Sequence, residues 1–176
     1  MKKACAVLLA VLSVSLLASA FAGEDHNNNN NVRWQDIVGN ITVSNNDAVG
    51  GILPGTTPWS TVGGSARVNL ATGRVSFDVD GLVLNGGNAT GTPDGVDQVE
   101  GSLICDAGQP DQTIFTTTPV PLNAQGNADF SGTFGHIGPC GNPLFLVRIG
   151  PDLPGANQRW IATGAVRSFG GSDGDK

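Results

Sequence analysis

Few side chains in this sequence could do chemistry, and their spacing limits what that chemistry is. Cys105 and Cys140 enclose a loop of about 35 residues, and two cysteines in an exported chain are expected to pair as a disulfide. A redox or metal-binding pair would need Cys-x-x-Cys spacing or partner ligands, and neither is present. His26 lies in an asparagine-rich stretch, and His136 lies in the loop Gly135-His136-Ile137-Gly138. A Ser-His-Asp site needs a held base and an oxyanion hole. One loop histidine supplies neither, so His136 is kept as a candidate binding residue and no catalytic residue is assigned. Asp94, Asp97 and Glu100 place hard oxygens near a turn and form the candidate calcium cluster, although their spacing is not that of an EF-hand loop. A glycosidase carboxylate pair has little to draw on, because Glu24 and Glu100 are the only glutamates. Of the three tryptophans, Trp160 reads as core, while Trp59, in a proline-flanked loop, is the candidate for exposed contact with a partner.

The compartment is written at the start of the chain. Lys2 and Lys3 precede an apolar run from Ala4 to Leu17, and Ala20-Phe21-Ala22 has the small-x-small pattern of a cleavage site. Residues 1–22 therefore read as a secretory signal peptide, and a secreted or periplasmic product is expected. The Met-Lys-Lys start looks bacterial. Cys5 sits inside the signal, so no lipid-anchor cysteine stands at the cleavage site. The net charge of the chain is −6, and loss of Lys2 and Lys3 makes it more negative. An acidic surface of this kind repels phosphate backbones and anionic lipid, which argues against nucleic-acid partners and membrane docking. No further apolar run is long enough to span a bilayer, and no cofactor is implied.

What remains after Ala22 is one domain by length, roughly 150 residues. Residues 23–31 form an asparagine-rich leader with nothing to bury, residues 32–168 the folded unit, and residues 169–176 a Gly/Ser/Asp-rich tail. Gly 26 and Pro 10 against 14% charged residues suit short strands joined by tight turns, and no long helical repeat is present. The clearest hairpin runs from Ser65 to Val79. Ala66, Val68 and Leu70 alternate with polar residues, Ala71-Thr72-Gly73 turns, and Val75, Phe77 and Val79 alternate again. Leu53-Pro54-Gly55 reads as a turn. A strand over 96–105 is expected to bulge near Gly101. Phe130 and Phe134 share a face only if Gly132 keeps the register. Leu144 to Ile149, apolar except for Arg148, reads as a central strand covered on both faces. Strands over 32–43, 113–122 and 159–166 complete roughly eight or nine. The expected fold is an all-β, antiparallel β-sandwich of immunoglobulin-like or Greek-key type, with a small closed barrel as the alternative. Asn40-Ile41-Thr42 and Asn88-Ala89-Thr90 match the glycosylation acceptor pattern, which has meaning only in a eukaryotic secretory route.

The second half resembles a recurring type of uncharacterised bacterial secreted β-domain protein. The resemblance rests on Val99 to Cys105, Val120 to Asn123 with Phe130 to Gly132, Asn142 to Arg148, and Trp160 to Ala165. It implies no assigned activity. Gly64 to Gly81 is also similar to the CHRD type of secreted β-domain, but the histidine motif that would follow Gly81-Leu82 is missing, so no site residue is carried over. The functional expectation is an exported non-catalytic domain that binds an unknown protein or glycan or acts structurally. A secreted hydrolase built around His136 or Glu100 and a calcium-stabilised domain are the alternatives.

Overall fold

The computed structural model describes residues 30–41, 48–151 and 158–170. The expected signal peptide, nearly all of the leader, and the tail beyond residue 170 lie outside the described residues. Eleven strands are present among the described residues: β1 (Asn31–Gly39), β2 (Trp59–Ser60), β3 (Gly63–Asn69), β4 (Arg74–Asp80), β5 (Val83–Leu84), β6 (Gln98–Cys105), β7 (Thr113–Thr116), β8 (Val120–Pro121), β9 (Ala128–Thr133), β10 (Leu144–Ile149) and β11 (Trp160–Phe169). Eight of them form one antiparallel sheet in the order β7-β6-β10-β11-β1-β3-β4-β9, β8 pairs with β6 off this path, and β2 pairs with β5 in a small second sheet.

The sheet curls into a half-barrel around one core. Trp34 of β1 packs on Phe145 of β10 with ring centroids 5.5 Å apart, Phe145 on Phe77 of β4 at 5.6 Å, and Phe77 stacks on Phe130 of β9 at 5.7 Å. Curling brings the two ends of the sheet together, so Phe115 of β7 meets Phe134, just beyond β9, at 6.2 Å. Aromatic pairs of this kind add about 0.5–1.5 kcal/mol each beyond the area they bury. The antiparallel all-β expectation holds. The sandwich, immunoglobulin-like or otherwise, is not confirmed, since eight strands run in one continuous sheet. Period-two alternation shows that a strand has one buried face but not which strands face it.

Several local expectations are met for the stated reasons. Gly73 ends the β3–β4 hairpin loop with φ 73, and the Asn69 side chain accepts hydrogen bonds from the Thr72 backbone N–H and hydroxyl. Gly132 keeps the β4–β9 register, Val75 to Gly132 and Phe77 to Phe130, so Phe130 faces inward. Strand β10 is covered on both sides: Phe145 and Val147 belong to the main core, while Leu146 joins Ile104 and Trp160 in a second cluster under Val49 and Ile52.

Other expectations are corrected. Gly101 is not a bulge, because β6 and β10 stay in register from Leu144–Ile104 to Ile149–Val99. It is a slot: a Cβ there would lie 2.8 Å from both Phe145 and Phe77. Gly101→Ala is expected to cost about 1–3 kcal/mol by overpacking, read as a lower urea midpoint at unchanged slope. No change would mean that the rings have room to move.

Leu53-Pro54-Gly55 is not a turn. Pro54 bridges Trp160 in parallel, because the residue before a proline avoids helical dihedrals and extends. The reversal falls instead at Gly50-Gly51, between the bridged Val49 and Ile52. The expected strand over 113–122 is two, β7 and β8. Between them Thr117 donates its N–H to the Gly101 carbonyl, and its hydroxyl accepts from the Gly101 N–H. The folded unit also begins earlier than its hydrophobic pattern, since Asn31 pairs with Asn69 in β3 and the Asn30 carbonyl accepts from Leu70. A sheet edge recruits backbone groups whatever side chains they carry.

Candidate functional site

The only charged groups buried together lie on the outer face of the sheet, as far as the described residues go. In β10 the odd positions Phe145 and Val147 point inward, so Arg148 must point outward. The register sets it directly opposite Glu100 of β6. Both are buried, Glu100 with 4% of its surface exposed and Arg148 with 8%. Arg148 Nη1 lies 3.4 Å from Glu100 Oε1. The guanidinium also donates to the Gln158 carbonyl from Nε (2.8 Å), to Gln158 Oε1 from Nη2 (2.9 Å), and to Ser102 Oγ from Nη1 (3.2 Å). Ser102 Oγ in turn lies 3.1 Å from Thr116 Oγ1 on β7. Three strands, β10, β6 and β7, and the approach to β11 thus meet on one cation.

Burial pushes the Glu100 carboxyl above the ordinary carboxylate value, and the Arg148 charge only partly opposes this. Burial likewise lowers the Arg148 guanidinium, against the pull of Glu100. The sign for stability follows. A carboxyl with a raised folded-state pKa binds its proton more tightly in the folded chain, so its contribution is fully present below the unfolded value and is lost as pH rises through the folded value. Relative to Glu100→Gln, the natural protein is therefore expected to lose stability as pH rises from about 4.5 toward neutrality. Parallel pH profiles of the two unfolding free energies would refute this.

This arrangement corrects the calcium cluster. Asp94 and Asp97 are exposed, whereas Glu100 is buried against Arg148, and among the described residues no three His, Cys, Asp or Glu side chains gather to hold a metal. The reason is strand periodicity. Glu100 lies within β6 and its direction is fixed by the sheet, while Asp94 and Asp97 belong to the preceding loop. His136 sits exposed in the loop between β9 and β10. Trp59 is not the exposed loop indole expected from its prolines. Only 3% of it is exposed, because it belongs to β2 and joins the main core. One side of it borders a cavity of about 280 Å³ that Thr56, Thr57, Asp94, Ile149 and Arg159 also line. Arg159 holds the rim by donating from Nη1 to the Pro54 carbonyl at 2.7 Å. Trp160 is core, as expected, at the centre of the outer cluster. Asn40 is buried at 2% exposure and so is closed to glycosylation in the folded chain, whereas Asn88 is exposed.

Cys105 and Cys140 form the disulfide, with S–S 1.98 Å and Cα–Cα 4.9 Å. Cys105, at the end of β6, is fully buried, and the bridge fixes the loop that leads into β10. A disulfide suggests an oxidising, extracellular compartment. No helix among the described residues is long and apolar enough to cross a membrane. The chain matches no family model, no curated protein and no solved structure.

Sequence reading noticed Arg148 only as an interruption. The signal available was that a lone arginine in an apolar strand needs a counter-charge, and Glu100 is the only glutamate in the folded part.

Proposed function

We propose that the chain is an exported, non-catalytic domain that works by binding a protein or glycan, or structurally, in the periplasm or outside the cell. The observation that carries this is the disulfide between Cys105 and Cys140, which suits an oxidising compartment and agrees with the signal-peptide pattern ending at Ala22. The closed setting of Glu100 supports the non-catalytic part. Its carboxyl is buried against Arg148 on the outer face rather than aimed into a cleft. The likeness of the second half to bacterial secreted β-domains points the same way and brings no residue roles. The test is expression of the full chain in an export-competent bacterium, followed by mass spectrometry of the product. Cleavage after Ala22 and a mass lower by two hydrogens for the bridged cysteines are expected. An intact amino terminus or free thiols at 105 and 140 would overturn export. Pull-downs and a glycan array with the exported protein then address binding, and no partner in either would leave the structural role.

A further inference from the structure

The cavity of about 280 Å³ beside Trp59 lies between the small β2–β5 sheet, the loop that precedes β6 and the end of β10. Pairing of Trp59 with Leu84 fixes one wall. Leu84 also ties down the loop that follows it. Its N–H donates to the Thr92 carbonyl, and its carbonyl accepts from the Gly91 N–H. That closure brings Asp94 to the cavity rim. Asp94 and Gly95 both take positive φ, 47 and 79, a conformation that aspartate tolerates better than most residues. The Asp94 N–H donates to Thr92 Oγ1 at 3.3 Å and the Val96 N–H to the Pro93 carbonyl at 3.0 Å, so the rim carboxylate stands on a fixed turn.

One buried donor faces this space without a protein partner. Only 3% of Trp59 is exposed, yet its indole Nε1–H donates to no group among the described residues. It is not sealed in by protein, as the Trp160 N–H is. Gly55 is the reason. A Cβ at that position would stand 3.2 Å from Nε1 and 3.4 Å from Cδ1, and Gly55 itself lines the cavity. An acceptor that enters makes a hydrogen bond to this N–H that the protein does not supply. The Thr56 and Thr57 hydroxyls border the same space and can donate or accept. Val96 and Ile149 join Leu84 in an apolar wall.

We infer that this cavity binds one neutral sugar unit of a glycan. Its polar groups are of both kinds. The Asp94 carboxylate accepts from a pair of hydroxyls, the Trp59 N–H donates to a hydroxyl or ring oxygen, and the threonines do either. The apolar wall takes the C–H face of the ring. Arg159 is committed to the Pro54 carbonyl and serves as a wall, so nothing in the site depends on its capturing an anion. Asp94 at the rim repels an anionic ligand, and the arginine on the same lining leaves no net charge to select a cation. The volume lies just below the roughly 300–1,000 Å³ of sites for drug-sized ligands, so it suits a single ring. The inference rests on the reading of the chain as an exported binding domain and names its ligand class and site.

The test is a nuclear magnetic resonance titration of the exported, bridged, isotope-labelled protein. Its three tryptophans give three indole N–H signals, and that of Trp59 is assigned by triple resonance. The probes are D-glucose, D-galactose, D-mannose and N-acetyl-D-glucosamine at millimolar concentrations, with glutamate, lysine and cyclohexanol as comparators. At least one sugar is expected to shift the Trp59 indole signal saturably while those of Trp34 and Trp160 stay in place, and no comparator should do so. Asp94→Asn keeps the turn, because asparagine also tolerates positive φ, and is expected to weaken sugar binding about tenfold. Gly55→Ala sets a methyl before the N–H and is expected to weaken it at least as much. If Gly55→Ala does not fold, Asp94→Asn carries the test alone. A Trp59 signal that no sugar moves, one that a comparator moves as strongly, or unchanged affinity in a folded variant would each overturn the inference. A product that is cleaved, bridged and active on a glycan array while its Trp59 signal ignores every sugar would keep the binding role and lose this site.

Discussion

Replacing Arg148 with methionine is expected to destabilise the protein by about 3–5 kcal/mol. The cost comes from what is left behind. Glu100 would be left at 4% exposure with no counter-charge, forced either to stay ionised unpaired or to take up a proton, and Ser102 Oγ and the Gln158 groups would lose their donor. The reverse change, Glu100→Met, strands the guanidinium instead, though four hydrogen bonds from it to Gln158, Ser102 and Thr116 remain, so its cost is smaller. Removing both charges together should return most of the loss, because a buried pair replaced by packed apolar side chains is often neutral. The check is a double-mutant cycle by urea unfolding, with a coupling energy above about 2 kcal/mol expected for contacting charges. Single-variant costs that add up to the cost of the double would mean that the pair is not coupled.

Breaking the disulfide has the second large effect. The bridge spans a sequence separation of 35, for which the chain-entropy model gives about 3–4 kcal/mol. Cys105→Ala/Cys140→Ala is therefore expected to lower stability by about that amount. Reduction should act in the same direction, with an added penalty for accommodating two thiols where Cys105 is fully buried. Comparing thermal unfolding with and without reductant, beside the double alanine variant, measures it. The disulfide holds the loop entering β10, so hydrogen exchange is expected to rise first from Gly138 to Leu144. A variant that melts like the natural protein would show that the loop is held by other contacts, among them the Gly141 N–H to Asp106 carboxylate bond at 3.2 Å.

Legibility varied with the range of the interaction. The β3–β4 hairpin was readable because both arms alternate and Gly73 supplies the left-handed turn residue, all within one short stretch. Strand β10 was readable because an unbroken apolar run needs cover on both faces. Gly101 was misread because glycine in a strand signals either a bulge or a close approach. The choice depended on Phe77, 24 positions away on β4, and on Phe145 of β10. Trp59 was misread because its prolines describe the local backbone and not what packs on it from β5 and the core. Asp94, Asp97 and Glu100 were grouped by nearness in sequence, and the pleat of β6 separated them.

By itself the sequence determined the strand content, the hairpin, the pairing of its last two cysteines and the acidic balance. These follow from period-two patterning, turn chemistry and composition, which are local or additive. Tertiary structure alone decided that the strands form one curled sheet, that Glu100 answers Arg148, and that Trp59 and Asp94 line one cavity. Each of these depends on the order and register of strands distant in sequence. That arrangement is set by the whole core packing at once: a one-residue slip would turn every side chain of a strand to its other face, and no short window of residues records which register was chosen.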